Sequence, residues 1–162
     1  MSQEDVPTGP GFFDVDATTV AEIWSPLGIP TVSIPNSYMP EDVEGLYLNG
    51  PDGRLAGLVT WVIEGDSAEI VTLDAFPTSQ GFGRQLLSEA ERQLAEKGVK
   101  RFWLLTSNDN YQGLGFYQRQ GYRLINVHLN AMDRVREIKP HVPLLGKADI
   151  PLTDLWELEK LR

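Results

Sequence analysis

Between Glu44 and Phe76 three apolar runs, "EGLYLNG", "RLAGLVTWVI" and "SAEIVTLDAF", are parted only by "PDG" and "EGD". Proline presets φ at a turn and glycine accepts a positive one. Connections this short join antiparallel neighbours, because a parallel crossover needs a dozen residues or more. The stretch is therefore a three-strand meander. A sheet that starts this way is not parallel throughout.

The hydrophobic period then changes from two to that of a helix. Phe82, Leu86, Leu87, Ala90, Leu94 and Ala95 share one face, while Arg84, Glu89, Arg92 and Glu96 face away. Gly98 stands where a helix closes on a left-handed residue. "KRFWLLT" follows as a buried strand, and the helical crossover before it makes it parallel to "SAEIVTLDAF". "SNDNYQGLGFYQRQG" predicts a short helix capped by Asn108 or Asp109 and ended at Gly121. "YRLINVHL" reads as a strand, and "NAMDRVREIKP" as a helical turn or two closed by Pro140. "DLWELEKLR" fits either period: Trp156 and Leu158 alternate, but Leu155, Leu158 and Leu161 also share a helix face. Upstream, "DATTVAEIW" predicts a helix capped by Asp16 or Thr18. Four prolines make "SPLGIPTVSIPNSYMP" loop-like. The 162 residues suffice for one core, so residues 1–11 are expected to form a flexible tail and 12–162 a single domain.

A net charge of −9 repels polyanions, so no nucleic-acid partner is expected. The chain has no cysteine, and His128 and His141 are too far apart in sequence to suggest a metal site, so no metal is expected. No apolar run approaches the roughly 20 residues of a membrane span, and the N-terminus lacks a signal-peptide pattern. These features predict a cytoplasmic protein that does not engage membranes.

Gly81 and Gly83 open the long helix, although glycine is a poor helix former. The first turn of a helix carries free N–H groups and the positive end of its dipole. Glycine lets an anion approach that backbone closely, which suits a pyrophosphate. A tight strand-to-helix turn explains the pair equally well on spacing alone. No lysine follows Gly83, so a P-loop does not fit. Leu86 occupies the place of the third glycine of a dinucleotide fingerprint, and Asp109 comes late for its acidic residue.

"LDAFPTSQGFGRQLL" resembles the acyl-CoA pyrophosphate loop of the GNAT superfamily of N-acetyltransferases, Gln/Arg-x-x-Gly-x-Gly/Ala. Thr78 stands at the Gln/Arg position, followed by Gly81 and Gly83. "NDNYQGLGFYQRQGY" resembles that superfamily's second signature, with Asn110, Phe116, Tyr117, Gly121 and Tyr122 matching and Gly113 replacing an alanine. The resemblance spans residues 44–128. It implies an α+β fold: a mixed, mostly antiparallel twisted sheet whose central parallel strands are splayed and flanked by helices. It also implies acetyl-CoA as co-substrate. The pantetheine arm would pair with backbone near Leu73 and Ala75 and bond Asn110, whose other reading is a helix cap, beside Phe116. The phosphates would meet Thr78, Gln80, Gly81, Phe82, Gly83 and Arg84.

The chemistry implied is attack of a primary amine on the thioester through a tetrahedral intermediate. A backbone N–H near Leu73 would hold the oxyanion, and Tyr117 would protonate the departing thiolate. Glu69 and Asp74 are the candidate bases. Strict alternation places them on opposite faces of their strand, so at most one would face the acceptor. Tyr38, Trp61 and Tyr111 are candidates to wall the acceptor pocket. The acceptor is expected to be a small-molecule or peptide amine, and a homodimer through the C-terminal segment stays open. The alternative is a catalytically inactive module of the same fold that binds CoA or senses a ligand.

Overall fold

The computed structural model describes residues 9–33, 36–76 and 80–162. Nine strands and four helices are formed by these residues: β1 (Gly11–Asp14), α1 (Ala17–Trp24), β2 (Thr31–Val32), β3 (Ser37–Tyr38), β4 (Glu44–Asn49), β5 (Leu55–Glu64), β6 (Ser67–Ala75), α2 (Phe82–Glu96), β7 (Arg101–Ser107), α3 (Tyr111–Arg119), β8 (Arg123–His128), α4 (Ala131–Ile138) and β9 (Leu155–Leu161). Seven strands build one sheet in the order β1-β4-β5-β6-β7-β9-β8, and β2 and β3 form a separate ribbon. The meander β4–β5–β6 is antiparallel, as its turns require. Among the described strands only β6 and β7 run parallel. The fold is the mixed, mostly antiparallel α+β sheet that the sequence predicts.

Alternation along the strands assigns the two faces. Leu46, Val59, Trp61 and Ile70 pack with Leu86, Leu87, Ala90 and Leu94 of α2 in the main core. Tyr47 and Leu58 point the other way and bury Val20 and Trp24 of α1. Asp16 caps α1 by accepting the Thr19 N–H at 2.8 Å. Gly98 closes α2 at φ 89°. The C-terminal segment resolves as β9, inserted between β7 and β8, because both of its edges find ladder partners there.

Two local expectations are corrected. The cap of α3 is Asn110, whose Oδ1 accepts the Gly113 N–H at 3.0 Å. Asn108 and Asp109 are instead engaged by the C-terminal loop: Asn108 Oδ1 accepts the N–H groups of Thr153 and Asp154, each at 3.0 Å. The second correction concerns Glu69 and Asp74. Thr60 pairs with Thr72 but Trp61 pairs with Ile70, so Val71 is an extra residue in β6. A bulge of one residue reverses the alternation beyond it. Glu69 therefore opposes Val62 and Asp74 opposes Leu58, four residues apart on β5. Both carboxylates lie on the face that carries α1, not on opposite faces.

Candidate active site

The parallel pairing of β6 with β7 runs only from Ser67↔Arg101 to Glu69↔Trp103. Beyond that rung β6 stays with β5, and β7 stays with β9 as far as Ser107↔Leu155. The strands diverge into a wedge. The Phe76 N–H donates to the Ala56 carbonyl at 2.8 Å, which fixes the phase of the β5–β6 ladder. Ala75, opposite Gly57, and Leu73, opposite Val59, are then non-hydrogen-bonded positions of that ladder. Their N–H and C=O groups point to the side β7 has left. Backbone groups shielded from water need partners, and the wedge offers them to an extended ligand.

The wedge opens into a cleft of about 790 Å³. One wall is Leu73, Asp74, Ala75 and Phe76. The second is the start of α2, with Gly81, Gly83 and Arg84. The third is α3, with Asn110, Phe116 and Tyr117. Gly81 has φ 79° and α2 has no side-chain cap, so the first N–H groups of the helix are left without a side-chain partner beside the cleft. The turn alone accounts for Gly81. It does not account for Gly83, where a Cβ would meet Phe116 Cζ at 3.7 Å and Ala75 Cβ at 4.0 Å. Those are ordinary contacts, and packing leaves room for alanine. Access to bare backbone explains the glycine better.

Phe82 packs against the main core and does not line the cleft. Gln80 immediately precedes the helix cap, outside the cleft lining, and Thr78 lies outside the described residues. Asn110 lines the cleft while capping α3, and its Nδ2 donates to Thr106 Oγ1 at 2.8 Å. Tyr117 packs edge-on against Phe116 and Tyr122, with ring centroids 5.2 and 5.9 Å away. Burial, and then the charge of Asp74, push its phenol well above the usual tyrosine range. It therefore stays protonated at neutral pH.

Glu69 is 4% exposed and sits on the last closed rung of the wedge. Ser33 Oγ lies 2.8 and 3.0 Å from its two carboxylate oxygens, and the Tyr38 hydroxyl donates to Oε1 at 3.2 Å. Burial pushes the Glu69 pKa up. The Ser33 and Tyr38 hydrogen bonds pull it back, and the charges of Glu157 and Glu64 push it further up. Tyr38 is pushed up to about 12 by burial and by Glu69. Burial also raises Asp74, whose Oδ2 is buried without a hydrogen-bond partner among the described residues. Of the other aromatic candidates, Trp61 is 2% exposed in the core and Tyr111 is half exposed. Ser33 was not predicted. A lone hydroxyl in a proline-rich loop carries no signal until the β2–β3 ribbon is seen folded against Glu69.

Among the described residues, no group of three or more His, Cys, Asp or Glu side chains is placed to hold a metal ion. No helix among them is long and apolar enough to cross a membrane.

A mixed sheet, wedged open where its described strands run parallel and bordered at the mouth by a glycine-started helix, defines an acyltransferase-type fold. The chain belongs to the acetyltransferase (GNAT) family, whose profile matches residues 20–122. The Bacillus subtilis (strain 168) protein YxbD is 38% identical over 117 residues, covering 72% of this chain and 74% of that protein. Among solved structures, an IAA acetyltransferase from Bacillus cereus superposes with a TM-score of 0.77 at 14% identity, over 94% of this chain and 99% of the other. A Bacillus subtilis acetyltransferase in complex with CoA superposes with a TM-score of 0.65 at 17% identity, over 89% and 83% of the two chains. At these identities the structures establish the shared fold.

Proposed function

We propose that this protein transfers an acetyl group from acetyl-CoA to a primary amine by direct attack. The observation that carries the reading is the phase of β6. Leu73 and Ala75 turn their peptide groups into an open wedge that ends at the uncapped first turn of α2. An acylated pantetheine arm matches that wedge in shape and hydrogen-bonding capacity, and a pyrophosphate matches the helix start. The CoA found with the B. subtilis neighbour supports the same coenzyme here.

In this reading Gly81, Gly83 and Arg84 hold the pyrophosphate, with Gln80 and Phe82 beside them at the helix start, and Asn110 and Phe116 flank the arm. The Leu73 N–H stabilises the oxyanion of the tetrahedral intermediate. Glu69 takes the amine proton through water. Its raised pKa brings it nearer to neutrality than an exposed glutamate, which suits a general base. Asp74, brought to the same face by the bulge, uses its unpaired oxygen to draw the acceptor's ammonium toward the thioester. Tyr117 protonates the thiolate. A thiolate of pKa about 8.5 leaves fairly well, so this acid assists without being indispensable.

The test is thiol release from acetyl-CoA with a panel of diamines, polyamines, amino acids and peptides. Release with at least one acceptor is expected. CoA binding without release across the panel would favour an inactive CoA-binding module instead.

A further inference from the structure

Lys147 lies outside the family match, in the loop between α4 and β9, yet it lines the cleft. The loop is built to hold it there. Asp109, 8% exposed, accepts from the Ser107 hydroxyl and from the Lys147 N–H, the latter at 3.0 Å. A Cβ on Gly146 would stand 2.2 Å from Asp109 Oδ2, so the loop approaches that carboxylate only as glycine. The next two residues, Ala148 and Asp149, adopt left-handed φ of 54° and 57°. Side-chain-bearing residues take that conformation at a cost, and only where surrounding contacts enforce it. Here the Gly146 N–H donates to the Ile150 carbonyl at 2.8 Å, and Leu145 bridges Pro151. The result is a fixed turn whose lysine side chain stays exposed.

Charge gives the turn a purpose. The chain carries −9 overall, which disfavours a nucleotide bearing several phosphate charges. Local cations must offset that. The cleft has three, Arg84, Arg119 and Lys147, and among the described residues none of them is in an ion pair. Arg84 belongs to the helix start. Lys147 reaches the cleft from a different element, next to the start of α3.

We infer that Lys147, positioned by Asp109, binds a phosphate of the coenzyme, which makes the 139–154 loop part of the coenzyme site. This rests on the acetyl-CoA reading above. The test measures CoA and 3′-dephospho-CoA binding by calorimetry, and pantetheine binding by ligand-observed NMR, for wild type, Lys147→Gln and Lys147→Arg. Lys147→Gln is expected to weaken CoA about tenfold, the scale of one charge-assisted hydrogen bond, with Lys147→Arg close to wild type and pantetheine unaffected. A loss for CoA alone assigns the 3′-phosphate; a loss shared with 3′-dephospho-CoA assigns the pyrophosphate. Unchanged CoA affinity in Lys147→Gln, or an equal loss for pantetheine, overturns the inference while the acetyl-CoA reading stands. A wild type that binds no CoA overturns both.

Discussion

Replacing Glu69 with glutamine separates a catalytic carboxylate from a structural one, because the two roles predict opposite signs in stability. Glu69 is 4% exposed, and burial raises its pKa in the folded state. A carboxyl raised on folding binds its proton more tightly in the native state. Its contribution is therefore most favourable below the unfolded value and is lost as pH rises through the folded value. At pH 8 the ionised side chain costs stability, and a neutral glutamine does not. Glu69→Gln should raise the Tm at pH 8, with the gain fading toward pH 5. Activity should move the other way. An alkylamine of pKa about 10.4 is neutral in roughly one molecule in 250 at pH 8. Without a base, turnover falls to what that fraction supports, a loss on the order of 100-fold. The residual rate should climb about tenfold per pH unit from pH 7 to 9, following the free amine. Thiol release, with the best alkylamine from the panel, and thermal melts at both pH values read these effects. Turnover within twofold of wild type, or a lowered Tm at pH 8, would refute the reasoning.

Tyr117→Phe should cut turnover roughly 10- to 100-fold, the lower part of the range for a general acid, and leave acetyl-CoA affinity unchanged by calorimetry; weakened binding with turnover intact would argue for a packing role. Ser33→Ala removes a hydrogen bond that lowers the Glu69 pKa, so the acid limb of the pH–rate profile should move to higher pH and Ser33→Thr should restore it. Gly83→Ala fits the packing, with its nearest contact at 3.7 Å. It should melt at least as high as wild type, since alanine favours the helix, and bind acetyl-CoA about tenfold more weakly, as expected when a Cβ blocks close approach to the backbone.

The sequence made the scaffold legible where local chemistry decides it. The turns at "PDG" and "EGD" fix an antiparallel meander, and the crossover through α2 fixes the parallel pair. The glycine pair marked the mouth of the cleft, and the motif around Tyr117 marked its inner wall. The bulge at Val71 was not legible. Nothing in "EIVTL" distinguishes the extra residue, because register is set across strands and not along one. That single residue decides that Glu69 and Asp74 share a face. The roles of Ser33 and Lys147 were hidden for a related reason. Each is hydrogen-bonded to a partner distant in sequence, Glu69 and Asp109, and one chain read alone gives no sign of such pairs.

Amide hydrogen exchange at Leu73 and Ala75, with and without acetyl-CoA, tests the wedge most directly. Thr72 and Asp74, in the hydrogen-bonded positions of the β5–β6 ladder, serve as internal controls. Leu73 and Ala75 should exchange faster than those neighbours in the free protein and slow at least about tenfold when acetyl-CoA is added, as amides that gain a partner do. Unchanged exchange at both positions in millimolar acetyl-CoA would contradict the account.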